Sequence, residues 1–183
     1  MFEVFLIMRQ LHELLWYLTE ALTIQPASPI HSALSAMLDE TERLTHLSPD
    51  SLMDLDVVVH RADVDTLILK TSELVRAEAR RGQKAYSGCQ KTLRRGACLI
   101  GADLRKIDLR GANLRGSCLI ATDLRGTDMS GTDFIGADFR DADIRGADLT
   151  KSIFLTQAQL NVAKGDTGTK FPASLTRPMH WGK

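Results

Sequence analysis

The chain has 183 residues, a length that suits one domain or two small ones. Its 23 basic and 23 acidic residues cancel, so its charge gives no general case for nucleic acid or an anionic membrane as a partner. The apolar run Val4–Met8 is too short to span a membrane, and with three cysteines and no visible secretory signal we expect a cytoplasmic protein.

Residues 1–85 are predicted to form a helical region of about three helices. In the first helix, leucines recur at three- and four-residue steps over 11–22 and form one broad apolar stripe. A proline-rich break follows. Ser28 as the N-cap and Pro29 as the first helical residue predict a second helix through about Thr45.

The third helix begins with the same signature, Ser48 followed by Pro49. Gly82 is the predicted stop signal at its end. Two apolar runs, Val57–Val59 and Leu67–Leu69, are weak points at which we expect this helix to bend or divide.

A linker over 86–96, which includes Cys89, leads into a segment that repeats every five residues. Twelve units follow one another without insertion over 97–156. A five-residue spacing fits neither the helix period nor strand alternation, so the chain must turn at a regular interval, as a solenoid does. The third residue of each unit is large and apolar: Leu99, Leu104, Leu109, Leu114, Leu119, Leu124, Met129, Phe134, Phe139, Ile144, Leu149 and Phe154.

The other repeat positions also have a fixed character. The first residue is small in eleven of the twelve units, with Ile107 as the exception, so we expect it to point inward as well. The second is mostly Asp, which bonds to nearby backbone at turns. Gly dominates the fifth, but Lys106, Ala121, Asp141 and Lys151 also stand there, so a positive φ is not expected in every unit.

These units resemble the A(D/N)LXX signature of the pentapeptide-repeat family. The resemblance implies a right-handed quadrilateral β-helix with four pentapeptides to a coil and about three coils here. The expected fold class is therefore mixed: an N-terminal α-helical region, this solenoid, and a short C-terminal capping helix.

Residues 157–183 are predicted to close the solenoid. Thr156 and Gln159 form a capping-box pair at the start of a short helix, and Gly165 supplies a stop. A last coil leaves unpaired backbone and an open core, so a cap is physically needed. We expect the remaining irregular tail to fold back onto the protein.

Stacking residues twenty apart converts the repeats into a surface map. We predict a contact face, defined as Cys98, Ile100, Cys118 and Ile120, where other faces carry Asp and Arg. Exposed apolar patches usually mark a contact, so either the N-terminal helices or a second copy of the chain is expected to cover it. Cys98 and Cys118 stack with parallel side chains, a poor geometry for a disulfide, so we expect both to be reduced.

Two further surface features follow from the same map. A second outward apolar cluster comprises Ile135, Ile153 and Leu155. A candidate Arg strip comprises Arg105, Arg125 and Arg145, stacked beside a column of aspartates. It is interpreted as a solvated charged face, with an Arg-lined binding strip as the alternative.

The sequence indicates no active site, metal site or cofactor. His12-Glu13-Leu14-Leu15-Trp16 begins like a zinc-protease HExxH motif but has Trp16 where the second histidine must stand. The repeat glycines lack the Lys-Ser/Thr that a phosphate-binding loop needs. We expect no small-molecule substrate.

The leading functional hypothesis is a non-catalytic interaction module that binds itself or another protein. The alternative, taken from the same family resemblance, is a DNA mimic that modulates DNA gyrase, as in quinolone resistance. That role needs a long acidic rod, whereas residues 94–151 carry ten basic and nine acidic side chains. A third hypothesis places an enzymatic or regulatory site in the helical half. A further hypothesis is that the chain is a fragment of a longer protein.

Overall fold

A computed structural model of the chain describes residues 2–81 and 93–182. The chain divides into two compact units, a helical unit Met1–Val75 and a solenoid unit Arg76–Lys183. The predicted stop at Gly82, Cys89 and most of the linker lie outside the described residues.

The helical unit is built from α-helices joined by short connections. Their bounds are α1 Phe2–Thr23, α2 His31–Thr45, α3 Pro49–Met53 and α4 Val57–Ala79, and a 3₁₀ helix Gln25–Ile30 precedes α2. The predicted third helix is thus two helices, but the division lies over 54–56, and the weak point predicted at Val57–Val59 forms the start of α4. The other weak point, Leu67–Leu69, lies within an unbroken α4.

The N-termini of the helices show which of the predicted N-caps are present. The prediction of Ser28 as an N-cap is wrong, because its Oγ donates to the Gln25 carbonyl at 2.6 Å inside the 3₁₀ helix. Ser48 does cap α3, accepting from the Ser51 N–H at 3.2 Å. Asp56 caps α4 in the same way, since its Oδ1 accepts from the N–H groups of Val58 and Val59 at 3.2 Å.

The solenoid unit is a ladder of isolated parallel bridges between residues twenty apart. One rung is typical: the Leu99 N–H donates to the Cys118 carbonyl at 2.8 Å, and the Cys118 N–H donates to the Ala97 carbonyl at 2.9 Å. Twenty residues therefore make one coil. The bridged pairs are Cys98–Cys118, Cys118–Asp138, Asp103–Asp123, Asp123–Asp143, Asp128–Asp148, Asn113–Asp133 and Asp133–Ile153.

The predicted interior column is confirmed. All twelve large third-position side chains are buried, from 7% exposed at Leu99 to fully buried at Leu119 and Phe134. The small first-position residues lie beneath them, and two hydroxyls there hold consecutive coils together. Thr122 Oγ1 donates to the Leu99 carbonyl at 2.7 Å, and Thr132 Oγ1 donates to the Leu109 carbonyl at 2.6 Å.

The one unit with a large first residue has a local defect in the ladder. Within the described part of the chain, Asp108 and Asp128 are the single pair of second-position residues twenty apart that forms no bridge. Ile107 is only half-buried, unlike the buried small residues at most other first positions. The missing bridge therefore coincides with the one large side chain at a first position, while the end of the same unit still bonds to the next coil through the Gly111 N–H and the Ser130 carbonyl at 2.9 Å.

Residues 157–182 close the C-terminal end of the ladder. The capping box of α5, Gln157–Val162, is present as predicted, and Lys164 and Lys170 extend the ladder by bridging to Asp143 and Asp148. The tail folds back, ending in a 3₁₀ helix Met179–Trp181.

Gly165 has a different role from the one predicted. α5 ends before it, at Val162. A Cβ at position 165 would lie 2.4 Å from the Trp181 ring, whose side chain is 2% exposed. The residue is small so that the indole can close the core, and it is not the helix stop.

Candidate interaction surface

The contact face lies on the first two coils, where the second and fourth residues of each unit point away from the core. Ile100 is 58% exposed and Cys98 is exposed, while Cys118 and Ile120 are half-buried. Cover of this face by the chain's own helices, by a second copy or by another protein stays a prediction.

The face changes character at the third coil. Asp138 and Arg140 occupy the positions above Cys118 and Ile120, and the Arg140 guanidinium binds the Asp138 carboxylate at 2.6 Å. The apolar surface is thus bounded by an ion pair on one side. Cys98 and Cys118 are both free thiols, although their backbones form a bridge.

The second apolar cluster is buried, contrary to the expectation that it faces outward to solvent. Ile153 is 3% exposed and Leu155 is 2% exposed, and Ile135 is half-buried. Apolar side chains at outward positions of this face are therefore shielded from water, and the cluster offers no free surface.

The same face holds a buried ion pair that the sequence analysis missed. Arg115 Nη1 lies 3.4 Å from Asp133 Oδ2, with the two side chains 6% and 0% exposed. The signal was present in the repeat pattern. Arg115 has no aspartate two residues before it, because Asn113 stands there, and Asp133 has no arginine two residues after it, because Ile135 stands there. The two residues lie on adjacent coils of one face, so each can pair with the other.

The candidate Arg strip is already occupied by carboxylates. Each guanidinium forms an ion pair with the aspartate two residues earlier. The distance between Arg125 Nη2 and Asp123 Oδ2, for example, is 2.6 Å. Each of the first two also reaches the next coil: Arg105 Nε lies 3.3 Å from Asp123, and Arg125 Nε lies 3.7 Å from Asp143. The arginines of the strip are therefore paired with aspartates within each coil and between coils, and this pairing favours a solvated charged face over an anion-binding strip.

The pKa values of these carboxyls reflect the same contacts. The hydrogen bond from the Arg125 side chain lowers the pKa of Asp123, and the hydrogen bond from Arg145 lowers the pKa of Asp143. Partial desolvation opposes both shifts. The carboxylates are therefore ionised throughout the neutral range.

The HExxH-like segment of α1 is engaged in ordinary helix contacts. His12 Nδ1 lies 2.9 Å from the Met8 carbonyl, and Glu13 forms an ion pair with Arg61 at 3.2 Å. Over residues 2–81 and 93–182, no group of three or more His, Cys, Asp or Glu side chains is arranged to hold a metal ion.

The helical unit also has an open groove of about 510 Å³ between α1 and α2. His12, Glu42 and His46 line it together with apolar residues such as Leu15 and Leu38. His46 Nδ1 lies 2.9 Å from the Glu42 carbonyl, so both groove histidines have one ring nitrogen against their own helix. None of the described helices has the length and apolar content of a membrane span.

Three comparisons show which known proteins this chain is similar to. A family model described as pentapeptide repeats matches residues 95–126 and 117–154, with eight copies. The uncharacterized protein YybG of Bacillus subtilis (strain 168) is 64% identical over 181 residues, covering 99% of this chain. The chain spans 63% of the length of that relative.

Two solved structures share the repeat over part of their length. One is a pentapeptide repeat protein, Rfr23, from the cyanobacterium Cyanothece 51142, with 24% identity, 42% of this chain and 48% of the other covered, and a TM-score of 0.31. The other is a pentapeptide repeat protein of the Arabidopsis thaliana thylakoid lumen, with 28% identity, 55% and 69% covered, and a TM-score of 0.33.

Proposed function

We propose that this chain, which belongs to the pentapeptide-repeat family, acts as a non-catalytic protein-interaction module. Its solenoid is a short right-handed quadrilateral β-helix of about three coils, with α5 as part of the cap. The contact face on its first two coils binds a second copy or another protein. We also infer a cytoplasmic location, which the free thiols of Cys98 and Cys118 support.

The observation that carries the proposal is the exposure of Ile100 on a rigid ladder. Its side chain is 58% exposed beside the exposed Cys98, whereas the neighbouring face carries aspartates neutralised by arginines at 2.6–2.7 Å. An apolar patch rimmed by ion pairs is typical of a protein contact. The backbone beneath it is fixed by hydrogen bonds, so little ordering entropy opposes binding there.

The gyrase hypothesis has less support. A DNA mimic must present unneutralised negative charge, whereas Asp103, Asp123, Asp138 and Asp143 each bind an arginine within 2.7 Å. A supercoiling assay with excess protein tests it directly. Strong inhibition of gyrase would favour that hypothesis over the interaction module.

Cys98 provides a reporter for the contact face. In a Cys89→Ser, Cys118→Ser background it is the remaining thiol, because the chain has three cysteines. We expect a maleimide to label it quickly in dilute purified protein and slowly in concentrated protein or in cells. Ile120→Asp should restore fast labelling, because a buried carboxylate opposes any contact over that face.

The matched control is Arg140→Asp, one coil away on the same side of the solenoid. It adds a negative charge beyond the apolar surface, so Cys98 should stay protected. Equally fast labelling of Cys98 at every concentration and in cells would contradict the proposal.

A further inference from the structure

We propose that Cys98 and Cys118 form a two-coordinate site for a soft metal ion, and that Cu⁺ is the ion their chemistry fits best. Both residues stand at the second position of a unit, on consecutive coils of the contact face. Two thiolates suffice for an ion that accepts linear coordination, so the site needs no third ligand from the described residues. The inference goes beyond the proposed function, because it requires no protein partner.

The backbone ladder holds the two cysteines side by side. The Cys118 N–H donates to the Ala97 carbonyl at 2.9 Å, and the Cys118 carbonyl accepts from the Leu99 N–H at 2.8 Å. Cys118 is thus bonded to the residues on either side of Cys98, and the two cysteines stand directly opposite each other. Paired strands lie about 4.8 Å apart, so the solenoid backbone itself sets the spacing of the two thiols.

This spacing suits a bound metal ion better than a disulfide. A disulfide needs Cβ atoms about 3.5–4.5 Å apart and sulfur atoms about 2.05 Å apart. Residues in register on parallel strands keep their Cβ atoms at about the strand spacing, near 4.8 Å. Two thiolate–metal bonds of about 2.3 Å in a line span about 4.6 Å. The two thiols therefore need little displacement to take an ion between them.

The chemistry of the ligands selects the ion. Thiolate sulfur is a soft ligand that favours Cu⁺ over Mg²⁺ or Ca²⁺, and Zn²⁺ prefers four ligands. Both cysteines are free thiols, Cys98 is exposed and Cys118 is half-buried, so an ion can reach the pair from solvent. Binding of one Cu⁺ releases both thiol protons and leaves the S–Cu–S unit with one net negative charge. No atom changes its oxidation state.

The surroundings of the pair fit a complex of this charge. On the third coil, Arg140 binds the Asp138 carboxylate at 2.6 Å and also interacts electrostatically with Cys118. Its guanidinium therefore lies where it can compensate the negative charge of the complex. Ile100 and Ile120 stand two residues after the cysteines, and their apolar side chains limit the access of water to the sulfur atoms.

Anaerobic titration of Cu⁺ into the dilute full chain carrying Cys89→Ser tests the site. Competition with the chromophoric chelator bicinchoninate measures the affinity, and thiolate-to-copper charge-transfer absorption reports the ligands. We expect one Cu⁺ per chain. Cys98→Ser or Cys118→Ser should weaken binding about a hundredfold or more, because the second bond is then no longer intramolecular. Arg140→Gln should weaken it by at most about fivefold, and less at high salt.

The matched control keeps the number of thiols and separates them. Cys98→Ser with Ser130→Cys, in the same Cys89→Ser background, moves one thiol half a coil away from Cys118. It should bind Cu⁺ no more tightly than Cys98→Ser alone. Equal affinity for this control and its parent overturns the paired site, as does a ratio of one Cu⁺ to two chains. Either result leaves the maleimide test of the proposed function unaffected, because that test measures protection of Cys98 by protein without copper.

Discussion

The two ends of the solenoid are finished in different ways. At the C-terminal end, α5 and the tail take up the groups that the last coil leaves open. Gln159 Nε2 donates to the carbonyls of Phe134 and Ala137 at 2.8 and 2.9 Å, and Thr169 Oγ1 donates to the Ile144 carbonyl at 3.1 Å. At the N-terminal end, the first-coil residues Cys98 and Asp103 have no such partners among residues 93–182.

The interior side chains at the two ends also differ in how completely they are buried. The last interior residues, Leu149 and Phe154, are fully buried, whereas Leu99 and Leu104 in the first coil are 7% and 6% exposed. A repeat can specify its own interior but not its ends, because each coil needs a neighbour on both sides. The C-terminal end is stabilised by side chains outside the repeat, whereas at the first coil Arg76 Nε donates to the Gly111 carbonyl at 3.1 Å.

The largest expected effect comes from removing the indole that closes the C-terminal end. Trp181→Ala deletes a side chain that is 2% exposed and packs edge-on against Phe171 at 5.8 Å. We expect the free energy of unfolding of the solenoid to fall by about 3–5 kcal/mol, the usual cost of truncating a buried aromatic. Urea unfolding followed by circular dichroism measures it.

Met179→Ala is the matched control, in the same 3₁₀ helix but with a side chain 98% exposed. It should leave the unfolding midpoint unchanged. A Trp181→Ala variant as stable as this control would show that the C-terminal end is not closed by the tail.

The next prediction compares the loss of buried hydrogen bonds with the loss of exposed hydrogen bonds from two glutamines of α5. Gln159→Met keeps the volume but removes the side-chain donor from the Ala137 carbonyl in the interior, whereas the Phe134 carbonyl keeps the Ala137 N–H at 3.0 Å. It also removes the oxygen that accepts from the Thr156 N–H in the capping box. The expected loss is about 1–3 kcal/mol for unsatisfied buried acceptors. Gln157→Met, which removes exposed bonds to Asn161 and Thr176, should cost less in the same unfolding measurement.

A smaller effect is expected at the turns between pentapeptide units, which occur along the whole solenoid. Gly126 has φ +65° and nothing within 4 Å of an added Cβ, so Gly126→Ala introduces backbone strain alone. We expect it to cost about 1–2 kcal/mol, the penalty of the left-handed region. Ala121 already adopts φ 54°, so Ala121→Gly should not destabilise. A Gly126→Ala variant as stable as the wild type, or a destabilised Ala121→Gly variant, would contradict this account.

The sequence analysis was most accurate where the repeat dictates the structure. Size at the first and third positions fixed the interior column, because a five-residue period leaves one way to bury it. The missing bridge between Asp108 and Asp128, beside the large first-position residue Ile107, was not predicted. The Arg115–Asp133 ion pair was also encoded, in two departures from the Asp-x-Arg pattern that stack one coil apart.

Features that depend on the ends were harder to predict. Gly165 resembles a helix stop in the sequence, and only the Trp181 ring beside it reveals why no side chain fits. Ser28 has the right neighbours for an N-cap, yet two prolines three residues apart favour a 3₁₀ helix there. Such outcomes are decided by contacts between segments distant in the sequence or by competing local turns.

The smallest expected effect concerns pH and the ladder of charges that ends at Asp103. Arginine hydrogen bonds lower the pKa of Asp123, Asp138 and Asp143 in the folded chain below the unfolded value of about 4. Their contribution to stability is thus complete above about pH 4 and is lost as pH falls through the lowered folded values. The unfolding midpoint should drop over this acid range, and Asp143→Asn should flatten the drop.

The stability contributed by these ion pairs should also depend on salt concentration, because the pairs lie at the surface. Arg125 and Asp123 are 41% and 25% exposed, so high ionic strength should shrink their contribution at neutral pH. The buried Arg115–Asp133 pair is screened far less, and breaking it with Asp133→Asn should be as costly at high salt as at low. Equal salt sensitivity for Asp133→Asn and Asp143→Asn would contradict the division of the solenoid into a shielded face and an exposed charged ladder.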